Sequence, residues 1–252
     1  MSAPARPVTV ITGAGRGIGA AIALRLADAG HDLALNFHHD HAAAERSLEA
    51  VLSKGGRAIT VRADVGVDAE VDWLFRETEQ ELGRISGLVN NAGMIAQAGD
   101  LADTPPEVIR RGIEVNLTAV VLCSRLAVRS MSTRRGGAGG AIVNISSAAA
   151  TIGSAHEYVY YAAAKAGVDA FTAGLAKEVG PDGVRVNAVA PGTVRTDLHA
   201  AAGNAGRPDR IAAQAPLRRT GEPAEIAAAV EWLLGPEASY VTGAVLRVAG
   251  GL

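Results

Sequence analysis

The sequence predicts an α/β protein with one domain, built on a doubly wound parallel sheet of about seven strands with helices on both faces. Short apolar runs alternate with helical patterns along the whole chain, which is typical of repeated βα units. The 252 residues are few enough for one domain, and no linker or internal repeat divides them. Hydrophobic residues make up 48% of the chain, which is ample for a core on both faces of a sheet. We therefore expect residues 1–252 to form a single domain.

The predicted strands are apolar segments, several of them β-branched and bounded by turn residues. They cover residues 8–12, 33–37, 58–61, 87–90, 141–145, 184–190 and 244–248. A first helix is predicted to end at Gly30, and further helices lie near 41–54, 67–82, 106–131, 160–179 and 222–234. Residues 198–218 interrupt this rhythm and are rich in alanine, glycine and arginine, so we expect them to form a substrate lid.

Composition excludes several classes of function. The formal net charge is −2, so no basic surface favours nucleic acid or an anionic membrane as a partner. Seven residues precede the first strand, too few for a signal peptide, and we expect a cytoplasmic protein. Residues 136–155 carry no charge, but a glycine-rich loop followed by a buried strand explains them better than a membrane span. Cys123 is the only cysteine, which excludes an internal disulfide or a cysteine-based metal cluster.

A glycine-rich turn follows the first predicted strand and leads into a helix. Glycines let backbone N–H groups approach a pyrophosphate closely, and the N-terminus of the helix supplies partial positive charge. A tight turn without a ligand is the alternative. The order strand, glycine turn, helix favours a Rossmann-type nucleotide-binding unit. The residues expected to contact the nucleotide are Gly13, Gly15, Arg16, Gly17, Ile18 and Gly19.

Tyr161 and Lys165 lie four residues apart in a predicted helix, so they share one face and are about 6 Å apart along the axis. An ammonium beside a phenol lowers the phenol pKa from about 10. Such a tyrosine can give or take a proton at a substrate oxygen. Tyr158 and Tyr160 are rivals, but alanine stands four residues after each of them. A chance pair on a helix surface is the alternative that other motifs must exclude.

Those motifs occur in the right order along nearly the whole chain. Together they resemble the short-chain dehydrogenase/reductase family, in its single-domain branch. The matching segments are Thr12-Gly13 with the glycine turn, Asn90-Asn91-Ala92-Gly93, Asn116, Ser147, Tyr161, Lys165, Pro191-Gly192-Thr193-Val194-Arg195-Thr196, Tyr240-Val241-Thr242-Gly243 and Gly250-Gly251.

The resemblance implies a catalytic set of four residues. Tyr161 would be the acid/base, while Lys165 would lower its pKa and hold the nicotinamide ribose. Ser147 would bind the reacting oxygen. Asn116 would position a water that links Lys165 to solvent; a buried asparagine that satisfies helix backbone is the alternative.

The serine differs in spacing from the family pattern. In the family this serine usually precedes the tyrosine by thirteen residues, a position that Ala148 occupies here. We interpret this as a one-residue insertion before Tyr161, which leaves Ser146 as the rival to Ser147.

The resemblance also implies the cofactor contacts. Asp64 would accept a hydrogen bond from the adenine amino group, unless it only caps a helix. Asn91 would contact the adenine-side ribose, and Val194 and Thr196 the carboxamide and phosphate. The other expected contacts are His38, Val65, Gly93, Pro191 and Gly192.

Cofactor choice depends on the end of the second strand, where enzymes that use NAD usually carry an acid for the ribose 2′-hydroxyl. Here the strand ends in Asn36-Phe37-His38-His39, and the first acid is Asp40. Arg16 in the glycine turn can reach a 2′-phosphate, although an ordinary exposed arginine is the alternative. We expect preference for NADP(H), with NAD(H) possible. We expect no metal at the histidines and interpret them as part of the 2′-phosphate pocket.

These observations predict an oxidoreductase that transfers a hydride between NADP(H) and a small carbonyl or alcohol substrate. A 3-oxoacyl-(carrier protein) reductase is the alternative within the enzymes, and a catalytically silent nucleotide-binding protein the alternative outside them. Carrier reductases tend to have a basic residue where Asp182 stands, before Gly183. The resemblance also implies a homotetramer. Small apolar residues expected to pack across a two-fold axis are Val120, Val121, Ala162, Ala166 and Ala170, and the uncharged C-terminal residues 249–252 would also be covered.

Overall fold

The computed structural model describes residues 6–96, 98–196 and 206–252, and its centre is a seven-stranded parallel sheet. The strand order is β3-β2-β1-β4-β5-β6-β7, and every neighbouring pair is parallel. The predicted α/β fold class is therefore confirmed. The strands are β1 Val8–Ile11, β2 Asp32–Phe37, β3 Arg57–Arg62, β4 Ile85–Asn90, β5 Gly140–Ile145, β6 Val184–Pro191 and β7 Val245–Val248.

Helices cover both faces of this sheet. They are α1 Gly17–Asp28, α2 His41–Ser53, α3 Asp68–Leu82, α4 Pro106–Ile113, α5 Ala119–Met131, α6 Ala149–Ile152, α7 Val159–Val179, α8 Arg207–Ala212 and α9 Pro223–Leu234. Two core clusters result, one with α1 and α9 and the other with α3, α5 and α7. Alternate strand residues belong to different clusters, as Ile142 and Val143 do, because successive side chains of a strand point to opposite faces.

The helix predicted near 106–131 contains a π-helical turn over Glu114–Thr118, between α4 and α5. Asn116 lies in this turn, and its side-chain amide donates a hydrogen bond to the Gly112 carbonyl at 2.8 Å. A side chain that bonds the backbone four residues earlier competes with the regular helical bond. Hydrophobic periodicity does not reveal such a turn, although π-turns are frequent at functional sites.

The strand order places a crevice at the carboxyl edge of the sheet. From β1 the chain first extends to β2 and β3 on one side, and then to β4 on the other. Ligands of open parallel sheets bind at such a switch point. The glycine turn after β1 and the segments after β4, β5 and β6 all meet there.

Two further expectations concern residues 198–218 and residues 136–155. Of the predicted lid at 198–218, residues 198–205 lie outside the described residues, and the remainder includes α8. Residues 136–155, which carry no charge, form β5 and α6 with their connecting loops. No helix in the described ranges is both long and apolar enough to cross a membrane.

Candidate active site

A cleft of about 1160 Å³ lies along the carboxyl edge of the sheet. The glycine turn borders one end, and the start of α7 together with α8 borders the other. All of the predicted site residues line this cleft except Asn116. The sequence motifs therefore converge on one site, as the topology requires.

The glycine turn is packed too closely for side chains. Gly13 and Gly17 have φ angles of +64° and +55°, which favour glycine. A Cβ on Gly19 would lie 2.2 Å from the Gly13 carbonyl oxygen. Helix α1 begins at Gly17 with no side-chain cap and no acidic residue in its first turn. Its first N–H groups thus face the cleft with partial positive charge, which suits an anionic group.

Asn91 and Thr196 hold the turn from either side. The Asn91 side chain donates hydrogen bonds to the carbonyls of Thr12 and Gly13, at 2.9 and 3.0 Å. On the other side, Thr196 lies over Gly17, where an added Cβ would be 3.1 Å from its Cγ2. The turn is therefore fixed between β4 and the loop after β6.

Asp64 makes an ion pair that sequence reasoning missed. The Arg111 guanidinium donates to both of its carboxylate oxygens, at 2.6 and 2.8 Å, and His38 Nε2 lies 3.7 Å from Oδ2. Burial acts to raise the pKa of Asp64, but hydrogen bonds from Arg111 and the Gly66 N–H outweigh it, and the net pKa is lowered. Arg111 lies on α4, 47 positions away, and no local pattern links it to Asp64.

The acid nearest the end of β2 is Asp40, which lines the cleft. Asp40 accepts a hydrogen bond from the Ala43 N–H at 3.0 Å and caps α2. Arg16 is exposed at the rim of the cleft, and the rings of His38 and His39 lie 3.6 Å apart. In the part of the chain that the structure describes, no group of three histidine, cysteine or acidic side chains could hold a metal ion.

Tyr161 and Lys165 face the cleft from the first turns of α7. Lys165 Nζ lies 5.7 Å from the Tyr161 ring centre and donates to the Ile145 carbonyl at 2.7 Å. The lysine is 3% exposed, and burial lowers its pKa to about 8, although Asp169 opposes the shift. A cation near a tyrosine is therefore held in a dry environment.

The Tyr161 pKa is set first by burial, which raises it. The nearby Ser147 side chain and the charge of Arg207 act in the opposite direction on this pKa. The Lys165 ammonium donates to the carbonyl of Ile145, and the resemblance implies that it also lowers the Tyr161 pKa. That role of Lys165 stays a prediction.

The structure separates the two candidate serines. Both serines line the cleft, but Ser146 is buried and donates to the Lys165 carbonyl at 3.3 Å. The Ser147 side chain lies close enough to Tyr161 to lower the pKa of its phenol. Ser147 is the serine beside Tyr161.

Asn116 is fully buried behind the cleft. Its amide donates to the carbonyls of Met94 and Gly112, both at 2.8 Å, and its oxygen accepts from the Met94 N–H at 3.1 Å. A Cβ on Gly93 would lie 3.0 Å from Asn116 Oδ1 and 3.8 Å from Lys165 Nζ, so Gly93 separates the two side chains. The contacts fit an asparagine that satisfies backbone groups, and the water-positioning role stays a prediction.

The loop after β6 forms one wall of the cleft, where the resemblance implied contacts with the nicotinamide side of the cofactor. The Gly192 N–H donates to the Val248 carbonyl at 3.0 Å, and a Cβ on Gly192 would lie 2.9 Å from the Ala249 Cα. Val194 forms an isolated bridge with Gly221. Pro191, Gly192, Val194 and Thr196 thus line one continuous side of the cleft.

A charged cluster at the far end of the cleft was not predicted. Glu157 binds both Arg207 and Arg210, and Tyr158 packs against the Arg207 guanidinium. We call these four residues the arginine cluster. The only sign of this cluster in the sequence was the arginine content of the segment interpreted as a lid. The carboxylate that pairs with Arg207 lies 50 residues earlier in the chain.

Comparisons with known proteins agree with this geometry. A family model described as enoyl-(acyl carrier protein) reductase matches residues 13–252. The chain belongs to the short-chain dehydrogenase/reductase family. Among its relatives in this family, the uncharacterized oxidoreductase YgfF of Escherichia coli is 41% identical over 97% of this chain and 99% of its own. A 3-oxoacyl-[acyl-carrier-protein] reductase of Synechocystis is 39% identical over 100% of this chain and 99% of its own.

A solved short-chain dehydrogenase has the same fold. The structure of the Burkholderia cenocepacia protein, in complex with NADP, matches with a TM-score of 0.89 and 33% identity over 97% of both chains. Membership of the short-chain dehydrogenase/reductase family shows that the protein is an oxidoreductase with a site for a nicotinamide cofactor.

Proposed function

We propose that this protein transfers a hydride between NADP(H) and a small carbonyl or alcohol substrate, with Tyr161 as the acid/base. The observation that carries the proposal is the meeting of Ser147, Tyr161 and Lys165 in the cleft that begins at the glycine turn. The three groups supply what reversible proton transfer at a carbonyl oxygen needs.

The residues present fit a nicotinamide dinucleotide. The uncapped N-terminus of α1 and the absence of acid in its first turn suit a pyrophosphate. Asp64 and Val65 would hold the adenine, and Asn91 its ribose. Lys165 would hold the nicotinamide ribose, and Val194 and Thr196 the carboxamide and phosphate. When bound, the cofactor supplies or accepts the hydride.

The protein's own residues handle the proton. Ser147 binds the substrate oxygen beside the Tyr161 hydroxyl, whose pKa it helps to lower. Burial raises the Tyr161 pKa, which keeps the phenol protonated and ready to donate to the oxygen in the reducing direction. The Lys165 ammonium stabilises the phenolate that remains, because this lysine is buried and charges interact more strongly away from bulk water.

The test of this proposal is an activity screen with NADPH and NADH against ketones, sugars and acyl thioesters. We expect NADPH oxidation with at least one carbonyl class. If the protein binds the cofactor but turns over none of these compounds, the catalytically silent alternative is favoured instead.

A 3-oxoacyl-(carrier protein) reductase is the second candidate, favoured by the 39% identity to the Synechocystis protein. Asp182 weakens it, because a buried acid stands where such enzymes tend to carry a basic residue. This carboxylate accepts hydrogen bonds from Ser132 Oγ at 2.8 Å and from Arg134 at 3.0 Å. Faster turnover of carrier-bound than of free substrates would favour this candidate.

We expect NADPH to bind about tenfold more tightly than NADH, equivalent to about 1.4 kcal/mol. The reasons are the exposed guanidinium of Arg16 at the rim and the use of Asp40 as a helix cap. Fluorescence titration of both cofactors measures the ratio. Arg16→Met should weaken the binding of NADPH and leave the affinity for NADH unchanged. The control is Arg76→Met, at an exposed arginine on α3, which should change neither affinity. Equal affinities in the wild type would contradict the preference.

We also expect a homotetramer. Two of the five residues expected to pack across a two-fold axis cannot do so. Val120 and Ala162 are buried within their own chain. Val121 and Ala170 are exposed, and Ala166 is half-buried. Among the described residues, strand β7 pairs only with β6, and its other edge is open to a partner. Light scattering at micromolar concentration should give about four times the 25.6 kDa of the chain, and the mass of a monomer would contradict it.

A further inference from the structure

The arginine cluster occupies the substrate end of the cleft. Arg207 is 13% exposed at its side chain, and its Nε lies 2.9 Å from Glu157 Oε2 and 3.1 Å from Oε1. Arg207 Nη1 also donates to Thr193 Oγ1 at 3.3 Å. Arg210 donates from Nη2 to Glu157 Oε1 at 2.5 Å. One carboxylate thus orders two guanidinium groups beside the reacting centre.

The cluster carries excess positive charge. Burial acts to raise the pKa of Glu157, but hydrogen bonds from Arg207 and Arg210 outweigh it, so this carboxyl is ionised at neutral pH. Two guanidinium groups against one carboxylate leave one positive charge. Arginine has five N–H donors. Among the described residues Arg210 uses only Nη2, so its Nε and Nη1 groups are available to a ligand.

Tyr158 adds an unused donor. The side chain is 3% exposed and lines the cleft, yet its buried hydroxyl has no hydrogen-bond partner in the described part of the chain. Its ring lies 5.5 Å from the Arg207 guanidinium carbon and 6.2 Å from the Tyr161 ring. A buried hydroxyl without a partner is unfavourable, which points to a polar group of a ligand at this position.

We propose that the arginine cluster binds a carboxylate of the substrate, and that Tyr158 donates a hydrogen bond to it. The preferred substrates are then carbonyl compounds with a carboxylate a few bonds from the reacting carbonyl. This inference rests on the proposed function of Tyr161. Guanidinium groups match the planar geometry of a carboxylate, and their ordering by Glu157 lowers the entropic cost of binding. The neighbouring wall is apolar and suits an aliphatic chain; it includes Met94, Ile95, Ile152, Ile211 and Leu252.

The binding test uses hexanoate and hexanamide, which differ in charge but hardly in size. Calorimetric titration of the full chain, with and without NADPH, should show at least tenfold tighter binding of hexanoate. Arg210→Gln and Arg207→Gln should remove this preference, and Tyr158→Phe should weaken hexanoate alone by about threefold. Arg219→Gln, which breaks an ion pair with Glu225 outside the cleft, is the matched control and should keep the preference. Equal binding of the two probes to the wild type would overturn the proposal and leave the cluster as a structural contact of α8.

A second readout does not depend on whether α8 stays folded in the arginine variants. The wild type should bind hexanoate more tightly as ionic strength falls, while hexanamide should show no such change. Identical salt dependence for both probes would count against a charged subsite.

The kinetic test separates this inference from the proposed function. Wild-type kcat/KM should be at least tenfold higher for 3-oxohexanoate than for its methyl ester. If the protein turns over the ester but binds hexanoate no more tightly than hexanamide, the carboxylate site is refuted and the proposed reductase activity stands. If it prefers hexanoate but turns over neither carbonyl compound, the proposed reductase activity is refuted and the carboxylate site stands.

Discussion

Tyr161→Phe is expected to lower kcat by about 10²- to 10⁴-fold, the usual contribution of a positioned acid or base. The substitution removes only the phenol hydroxyl, whose pKa the nearby Ser147 lowers. The ring remains against Tyr158 and near Lys165, so the affinity for NADPH should stay nearly unchanged. Steady-state kinetics with the best carbonyl substrate, together with a cofactor titration, measures both quantities.

The matched control is Tyr240→Phe. Tyr240 is fully exposed and does not line the cleft, so loss of its hydroxyl should leave kcat unchanged. If Tyr161→Phe retains more than about a tenth of wild-type kcat, another group donates the proton.

Lys165→Met is expected to abolish turnover and, at pH 7, to raise the free energy of unfolding. Burial lowers the pKa of this lysine from 10.5 to about 8, which corresponds to about 3 kcal/mol against the charged form in the folded protein. Methionine fills the space without charge. Loss of the bond to the Ile145 carbonyl offsets part of the gain, by about 1–2 kcal/mol. A net stabilisation of about 1–2 kcal/mol remains, measured by denaturant unfolding.

The pH dependence gives the sharper test of Lys165. Between about pH 8 and pH 10.5 the unfolded chain binds a proton that the folded chain lacks, so wild-type stability from this group rises with pH. Below pH 8 the cost of the buried charge is fully present, and above pH 10.5 it is absent. The advantage of Lys165→Met should therefore shrink by about 3 kcal/mol across this window. A difference that stays constant with pH would show that burial does not perturb this lysine.

Local spacing made part of the site predictable. The glycine turn depends on residues that are adjacent in sequence, and Tyr161 and Lys165 lie on one face through helical periodicity alone. The βα rhythm predicts parallel strands, whose carboxyl ends lie at one edge of the sheet, so the meeting of these motifs at that edge was also predictable.

The missed features depend on partners that only the fold brings together. Arg111 reaches Asp64 across 47 positions, and Arg207 reaches Glu157 across 50. An arginine in a helix carries no local signal of its carboxylate. The different partners of Ser146 and Ser147 likewise depend on the direction in which the chain leaves β5, which the family spacing does not indicate.

The π-helical turn at Glu114–Thr118 acts as a phase correction between two helices. One residue advances an α-helix by about 100°. The π-turn holds about one residue more than an α-helical turn, so it absorbs that residue and α5 continues from α4 without this rotation. A regular α-helix through all five residues of the turn would instead rotate α5 by about 100°. Cys123, Ala127 and Met131 would then leave the core together. Deletion of a single residue within 114–118 should convert the turn to a regular α-helix and keep α5 in place, so this segment can lose one residue without a change in the packing of α5.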